Sequence, residues 1–384
     1  MRFLIFIAVY LTVYGGMHLY FYRRLRRGFA LQGGARIALV LFLLLMVCGP
    51  FLVRGLEDLH WHGGAVAFAV LTYCWMGAIF MAASLFLLVD IARWLARLWR
   101  YMRRRMLPLQ EVAWRPLVIG VLCASLGAAT YGYFAAREIR IETVRIVTDK
   151  LPAGVERYRM VQLSDVHLGV MTDGAWLARI VDEVNGLQPE LIVTTGDIID
   201  SRIPSALPYK EIIARLQARD GKYAVAGNHE FFAGIDKSVA YMTEAGFVTL
   251  RGEQARVQPW LTLLGVDDRE GRLMDGSGVD HEALLMAGVD AARFNILLKH
   301  QPVMREESIG RFDLQLAGHL HQGQIFPFRL LTWLVYPVTM GMSDLGQGSR
   351  LYVSRGTGTW GPPMRVLAPP EITLFEFVPE YQGI

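Results

Sequence analysis

Four long apolar segments lie in the first third of the chain, and they restrict what it can fold into. They cover residues 3–22, 37–53, 65–91 and 117–136. Each is close to the ~20 residues that a helix needs to cross the hydrocarbon core of a bilayer. Burial of all four as core helices of a soluble protein is not favoured at these lengths. The sequence therefore predicts a four-helix transmembrane region over residues 1–138 and a separate domain over residues 139–384.

The placement of arginine predicts the orientation of these segments. Residues 1–140 contain 16 arginines, no lysine and 5 acidic residues. The connection between the second and third segments holds only Arg54. Two other connections are rich in arginine, namely Arg23, Arg24, Arg26, Arg27 and Arg36 after the first segment, and Arg93, Arg97, Arg100, Arg103, Arg104, Arg105 and Arg115 after the third. Because arginine-rich loops stay in the cytoplasm, we expect a multi-pass protein of the inner or plasma membrane with an extracytoplasmic second domain. The reversed topology is the alternative, and the arginine count opposes it.

Charge and cysteine content narrow the function classes. Residues 141–384 contain 23 basic and 30 acidic residues, so the sequence predicts no nucleic-acid partner. The three cysteines, Cys48, Cys74 and Cys123, all lie in apolar segments, which argues against a disulfide framework or a cysteine-based metal site in the second domain. His18 and Asp90 lie near segment ends, whereas a transport pathway needs polar groups inside the membrane. A membrane anchor is therefore the favoured interpretation.

The second domain alternates short apolar runs with amphipathic stretches. The pattern predicts helices over 176–187, 209–216 and 237–245. It predicts strands over 158–163, 191–195, 222–226, 261–266, 295–299 and 314–317. Such alternation is typical of a layered α/β domain. In open sheets of this kind, functional sites collect beyond the carboxyl ends of the strands.

Polar residues follow these predicted strands. Five of the six histidines after residue 140 lie at strand ends, and only His281 does not. The strand-end set is Asp165, His167, Asp197, Asn228, His229, His300, His319 and His321. Carboxylate, imidazole and amide oxygen ligands suit Mn, Fe, Zn or a similar divalent ion. The set is too large for one tetrahedral ion and fits two ions, which in phosphoryl transfer stabilise both the attacking and the leaving oxygen.

The order of these residues resembles a known superfamily. Asp-x-His at 165–167, Gly-Asp at 196–197, Gly-Asn-His-Glu at 227–230, a single histidine at 300 and Gly-His-x-His at 318–321 resemble the calcineurin-like metallophosphoesterases. Three further stretches, 322–325, 355–358 and 369–372, are similar to the membrane-associated bacterial branch that includes YkuE and YaeI. Gln322 replaces a glycine that is usual in that branch. The resemblance implies a four-layer α/β domain, with two β-sheets sandwiched between helices.

The resemblance also implies roles for the residues. Asp165, His167, Asp197 and His321 would hold one metal ion, and Asp197, Asn228, His300 and His319 the other. His229 would not ligate but would contact the phosphoryl oxygens or protonate the leaving group, and Asp200 would orient His229. Gly196, Gly227 and Gly318 would let the backbone turn sharply into the site.

The implied activity is hydrolysis of a phosphoester with two divalent metal ions. The alternative from another class is a membrane sensor or transporter subunit that uses a phosphoesterase-like domain for binding. The retention of every metal-binding residue type argues against that alternative. The substrate stays open between a phospholipid, an isoprenoid phosphate, a nucleotide-lipid and a soluble phosphodiester.

Two features after the strand ends have more than one interpretation. The apolar stretch 325–340 is either a strand and short helix in a buried layer or an exposed flap near the site. The flap would dip into the membrane interface and would favour a lipid-linked substrate. Asp267 and Asp268 are interpreted as acids of a turn. Arg355 either contacts phosphate or lies on the surface.

Overall fold

The chain forms two compact units. The computed structural model describes residues 2–103, 113–200, 202–275 and 279–380. The helical unit comprises Met1–Phe134 and Gly361–Val366, and the α/β unit comprises Ala135–Trp360 and Leu367–Ile384. The short segment Gly361–Val366 thus groups with the helices, although the sequence predicts it in the second domain. Arg104 and Arg105, which contribute to the predicted orientation, lie outside the described residues.

Helices make up most of the helical unit. Its helical elements are α1 (Arg2–Tyr10), a π-helical turn (Leu11–Gly15), α2 (Gly16–Phe29), α3 (Gly33–Asp58), α4 (His62–Met102) and α5 (Trp114–Ala135). Among the described residues, α3, α4 and α5 are long and apolar enough to cross a membrane. The remaining predicted segment, 3–22, lies in α1, the π-helical turn and α2, and its crossing stays a prediction.

Helix α4 extends well past its apolar segment. Its 41 residues correspond to about 60 Å, roughly twice the thickness of a hydrocarbon core. The part after residue 91 carries Arg93, Arg97 and Arg100. These cations therefore lie on a helical extension beyond the apolar segment 65–91.

Polar side chains of the helical unit pair with one another. Asp90 accepts a hydrogen bond from the Tyr20 hydroxyl (2.7 Å) and forms an ion pair with Arg24. His18 is buried, with Nδ1 2.8 Å from the Tyr14 carbonyl oxygen and Nε2 2.9 Å from the Trp75 indole nitrogen. Local pairing of this kind is what an apolar surrounding requires of polar groups.

The α/β unit contains two six-stranded sheets. The strands are β1 (Arg140–Thr148), β2 (Tyr158–Leu163), β3 (Leu191–Thr194), β4 (Lys222–Ala224), β5 (Val248–Thr249), β6 (Glu253–Gln258), β7 (Leu261–Gly265), β8 (Phe294–Leu298), β9 (Leu314–Ala317), β10 (Gly341–Gly346), β11 (Ser349–Val353) and β12 (Glu371–Pro379). The first sheet has the order β1-β12-β2-β3-β4-β5, and the second has the order β10-β11-β9-β8-β7-β6. Strands β2 to β5 are parallel, as are β7, β8, β9 and β11. Both sheets are mixed, because β12 runs antiparallel to β2 and the edge strands β6 and β10 run antiparallel to their neighbours.

The α/β unit also contains several helices between its strands. They are α6 (Gly174–Gly186), α7 (Ile203–Ala206), α8 (Lys210–Ala214), α9 (Asn228–Ala233), α10 (Ile235–Glu244), α11 (Arg269–Asp275), α12 (His281–Ala287) and α13 (Arg329–Val335). Helix α6 begins after Asp173, whose carboxylate accepts a hydrogen bond from the backbone N–H of Ala175 (3.0 Å). Aspartate is a favoured residue at this position because it satisfies a free N–H group.

Alternation along the strands builds the layers. In β2, Met160 belongs to the core between the two sheets, where it joins residues of β8 and β12 such as Ile296 and Phe375. The next residue, Val161, belongs to the core under α6, where it joins Leu177. On the other side, Leu264 and Leu297 share a core with Met286 of α12. The order helix, sheet, sheet, helix is confirmed.

In the stretch 325–340, Ile325 is buried and Tyr336 and Val338 pack against a core, but the helical part is exposed. Helix α13 lies within this stretch and contains no buried residue. The interpretation of this stretch as core is therefore wrong for the helix, because its apolar side chains face outward.

Candidate metal centre

The loops after β2, β3, β4, β8 and β9 bring the predicted ligands together. Among the residues that the structure describes, three groups have ligand atoms within 4.8 Å of one another: Asp165, His167 and His321; His167, Asp197 and His229; and Asp197, His300 and His319. The groups share members, so they form one continuous cluster. The amide oxygen of Asn228 joins the cluster, 3.1 Å from His300 Nε2.

In the first group, two imidazoles and a carboxylate converge. Nε2 of His167 lies 3.0 Å from Nε2 of His321. The same His321 nitrogen lies 3.4 Å from Oδ1 of Asp165. All three side chains are buried. Two facing ring nitrogens beside a carboxylate oxygen suit a divalent ion of the zinc or manganese type.

His300 is the centre of another group. Its Nε2 lies 3.1 Å from Asp197 Oδ2 and 3.0 Å from His319 Nδ1. Its Nδ1 lies 2.8 Å from the Thr195 carbonyl oxygen, an acceptor to which it can only donate. The hydrogen bond to Thr195 places the proton on Nδ1 and leaves the Nε2 lone pair for a metal ion, as is usual for ligating histidines.

Asp197 lies between the groups. Its Oδ2 is 3.1 Å from His300 Nε2 and 3.9 Å from His167 Nε2. Its Oδ1 accepts a hydrogen bond from the backbone N–H of His229 (2.9 Å). The carboxylate is thus held in place by the backbone and faces both sets of ligands.

The protonation states suit metal binding. Burial alone would raise the pKa of Asp165 and of Asp197, but the imidazoles of His321 and His300 hold both pKa values below the usual range. Burial and the neighbouring His229 lower the pKa of His167 to about 3, so His167 is neutral. Ionised carboxylates and neutral imidazoles are the forms that bind metals.

The electrostatic surroundings of His300 also favour a bound metal ion. Burial lowers its pKa, but Asp197 outweighs burial and raises the pKa of His300 well above its usual value. Buried carboxylates therefore favour a positive charge at this nitrogen. A divalent ion would supply that charge in place of the proton.

His229 forms a pair with Asp200 beside the cluster. Its Nδ1 lies 2.9 Å from Asp200 Oδ1, and its Nε2 lies 4.0 Å from Asp197 Oδ2. Burial opposes protonation, but Asp197 and Asp200 raise the pKa of His229 to about 9. Its Nε2 can therefore donate a proton near neutral pH, which is what a general acid needs.

The site residues have unusual backbone angles. The φ angle is positive at Asp165, His167 and Asp197 (54° each), at His319 (71°) and at His321 (48°). Such angles cost non-glycine residues of order 1 kcal/mol or more each and persist where the surrounding structure holds them, commonly at functional sites. The motifs gave no sign of this feature.

Glycine is required in the motifs for two different structural reasons. Gly196 has a φ of 94°, so it turns the chain as expected. Gly318 and Gly227 do not have positive φ angles, so a left-handed backbone conformation is not what requires glycine at these two positions. A Cβ at Gly318 would overlap Ser164 Oγ and Asp165 Oδ2, and one at Gly227 would overlap Asp197 Oδ1. These two glycines are needed because the loops approach so closely.

Glu230 is a site residue to which sequence reasoning assigned no role. Its buried carboxylate accepts hydrogen bonds from the backbone N–H groups of Asp197 (2.9 Å), Ile199 (2.9 Å) and Gly227 (2.7 Å). It thereby connects the loops that follow β3 and β4. Its place in the Gly-Asn-His-Glu motif was the available signal.

The two remaining sequence interpretations are also resolved. Asp267 pairs with Arg251 (2.8 Å), and Asp268 accepts hydrogen bonds from the Glu270 N–H (2.9 Å) and the Gln301 side chain (3.2 Å), so both acids have structural partners between β7 and α11. Arg355 forms ion pairs with Glu142 and with Glu371 (2.6 Å). Its guanidinium connects β1 and β12, which is a structural role that the sequence did not indicate.

The fold and the cluster together define an α/β domain with a candidate metal centre at strand ends, and comparison with known proteins identifies its class. Residues 158–323 match the family model of the calcineurin-like phosphoesterases. The chain is 34% identical over 251 residues to an uncharacterized metallophosphoesterase of Aquifex aeolicus, covering 65% of this chain and 95% of the relative. It is 31% identical over 358 residues to a transmembrane protein with metallophosphoesterase domain of Danio rerio, covering 88% and 79%.

A third relative is the uncharacterized metallophosphoesterase YkuE of Bacillus subtilis. The identity is 34% over 281 residues, covering 67% of this chain and 94% of that protein. The chain therefore belongs to the calcineurin-like metallophosphoesterase family, and its α/β unit is a hydrolase domain.

Proposed function

We propose that this protein hydrolyses phosphoesters, mono- or diesters, with two divalent metal ions held at the strand ends. One ion is assigned to Asp165, His167, Asp197 and His321. The other is assigned to Asp197, Asn228, His300 and His319. The observation that supports this proposal most is the position of Asp197, whose Oδ2 lies 3.1 Å from His300 Nε2 and 3.9 Å from His167 Nε2.

The donor set fits Mn, Fe, Zn or a similar divalent ion. Two such ions would polarise the phosphoryl group and lower the pKa of a water molecule. His229, protonated at Nε2, transfers a proton to the leaving oxygen. Asp200 holds His229 in position through Nδ1 and keeps it protonated.

The proposal includes a membrane location. Helices α3, α4 and α5 anchor the protein in the inner or plasma membrane, and the α/β unit lies outside the cytoplasm. This is supported by the apolar length of the three helices and by the arginines of the loops. The four-helix region and the domain boundary at residue 138 are part of the same proposal.

An Asp197→Ala variant tests the metal assignment. Full-length protein in detergent with Mn²⁺ is assayed on bis-p-nitrophenyl phosphate and on p-nitrophenyl phosphate, and bound metal is measured by elemental analysis. We expect wild type to bind two ions and cleave one or both esters, and the variant to lose metal and activity. Asp236→Ala, an exposed carboxylate on α10, is the control and should behave as wild type. Unchanged turnover in Asp197→Ala would exclude the bridging role.

A further inference from the structure

Exposed apolar side chains follow the last predicted ligand. We call this surface the apolar rim, defined by Phe326, Phe328, Leu330, Leu331, Trp333, Leu334 and Val335. Trp333 is 66% exposed, Leu334 74% and Val335 71%. Exposed hydrophobic side chains are ordinary when single, but a contiguous patch marks an interaction surface.

The apolar rim leads directly to the metal centre. Tyr336 follows α13, and its ring centroid lies 6.3 Å from that of His319. Its hydroxyl donates a hydrogen bond to the side-chain oxygen of Gln301 (3.1 Å), the residue after His300. The carboxyl end of the rim is thus fixed beside one predicted ligand group.

Exposed aromatic rings also flank the proposed acid. The ring centroid of Phe232 lies 5.7 Å from that of His229, and the centroid of Trp360 lies 5.9 Å from it. Both rings are more than half exposed. The backbone N–H and carbonyl groups of Trp360 form hydrogen bonds with the Gln324 side chain (2.9 Å each), which hold Trp360 in place. Apolar surface therefore borders the site beside His229 as well as beside His319.

The occupant that fits the apolar rim is a lipid surface. Four residues, 136–139, join α5 to β1, so the connection spans at most ~18 Å. A domain tied this closely to membrane helices meets lipid at a far higher effective concentration than any soluble partner. The composition of the segment agrees, since Arg329, Trp333 and Tyr336 are residue types that anchor interfacial segments among apolar neighbours.

We propose that the apolar rim contacts the bilayer and that the substrate is an amphiphilic phosphoester whose apolar tail stays against the rim. This inference rests on the proposed hydrolysis. Water adds to phosphorus, the bond from phosphorus to the leaving oxygen breaks, and the proton of His229 goes to that oxygen. The proton released by the water restores His229. The rim holds the tail while the phosphate reaches the strand ends.

A spin-label experiment tests contact with lipid. Full-length protein with Cys48, Cys74 and Cys123 replaced by alanine is reconstituted into phosphatidylcholine–phosphatidylglycerol vesicles. A nitroxide is attached at Leu334→Cys, or at Gln217→Cys, an exposed position in the α/β unit, as the control. We expect the label at 334 to collide more with oxygen and less with a water-soluble nickel chelate than the label at 217.

Three outcomes would overturn the proposal. Equal nickel accessibility at the two positions would place the rim in water. Protection from both reagents would mean that protein covers it. Dipolar broadening between labels at 334 would identify a second copy of the chain as the occupant.

A pair of substrates tests the tail. Methyl p-nitrophenyl phosphate and dodecyl p-nitrophenyl phosphate have the same leaving group and differ only in the tail. We expect wild type to prefer the dodecyl ester, and Leu334→Asp to lower the ratio of the two kcat/KM values roughly tenfold, because the charge removes apolar contact. Leu284→Asp, at an exposed leucine of α12, is the control and should keep the wild-type ratio. Equal rates on both esters in wild type, or cleavage of neither by a protein that cleaves p-nitrophenyl phosphate, would contradict the rim proposal alone, whereas cleavage of none of the three esters would contradict the proposed hydrolysis itself.

Discussion

His229 is the residue whose role depends most on geometry. Its ring atoms fall into one of the three ligand groups, so proximity alone would permit it to bind a metal ion. Its Nδ1, however, is held by Asp200, and although burial opposes protonation, Asp197 and Asp200 raise the pKa of His229 to about 9, so Nε2 can carry a proton. The side chain is therefore suited to donate a proton.

Replacement of His229 by alanine separates the two roles. We expect His229→Ala to keep both metal ions and to lose about 10²–10⁴-fold in kcat, the usual contribution of a general acid. Elemental analysis and steady-state kinetics on bis-p-nitrophenyl phosphate measure the two quantities. Loss of one ion per chain would make His229 a ligand.

Asp200 controls the pH range in which His229 can act. Asp197 and Asp200 raise the pKa of His229 to about 9, so the acid is active below that pH and is lost above it. Removal of the Asp200 charge lowers this pKa. We expect the alkaline limb of the kcat profile to move to lower pH in Asp200→Asn and to stay in place in Asp200→Glu. An unmoved limb in Asp200→Asn would show that Asp200 does not act through His229.

At the scale of single residues, the sequence revealed the types of side chain in the cluster but not the backbone that presents them. The strand-end pattern brought Asp165, His167 and Asp197 together because the carboxyl ends of parallel strands meet at one edge of a sheet. Their positive φ angles were not visible, since these depend on hydrogen bonds between loops that are distant in sequence. The role of Glu230 was missed for the same reason.

At the scale of elements, close loop approach holds the cluster together. The loop after β9 passes so near the end of β2 that only glycine fits at position 318. The neighbouring N–H of His319 donates to both carboxylate oxygens of Asp165 (3.0 Å each). A shift of this loop would therefore displace His319 and Asp165, which are predicted ligands of different metal ions.

Gly318→Ala tests this close approach. The added Cβ would overlap Ser164 and Asp165, so the loop must shift, and we expect a loss of about 1–3 kcal/mol in stability together with weaker metal binding. Thermal unfolding and metal titration measure both effects. Gly288→Ala is a matched control, because the nearest atom to its Cβ is 3.8 Å away and its φ is −101°. Equal unfolding temperatures for the two variants would contradict the argument.

Prediction of the elements succeeded where local pattern decides. Strands β2, β3 and β9 lie within one residue of their predicted limits, because each is a short, largely apolar segment that ends at polar or glycine residues of a loop. The pairing of β12 between β1 and β2 could not be predicted, since it joins segments far apart in the chain. The exposure of α13 was also open, because an apolar run has the same pattern whether protein or lipid covers it.

At the scale of the whole molecule, the orientation of the chain depends on α3, α4 and α5. If all three cross as proposed, the connection before α3 and the α/β unit lie on opposite sides of the membrane, whether or not the segment 3–22 also crosses. The arginines on the extended end of α4 predict that the connection after it is cytoplasmic. Together with a crossing by α5, this prediction puts the α/β unit outside the cytoplasm.

Reporter fusions test this orientation. Alkaline phosphatase, which is active only outside the cytoplasm, is fused after His60, after Met102 or after Ile384. We expect activity at the first and last positions and none after Met102. The reverse pattern would place the α/β unit in the cytoplasm. A chain that starts at Gln32 should keep the same pattern, because the arginines of α4 and the three remaining crossings determine it; a changed pattern would mean that the segment 3–22 sets the orientation.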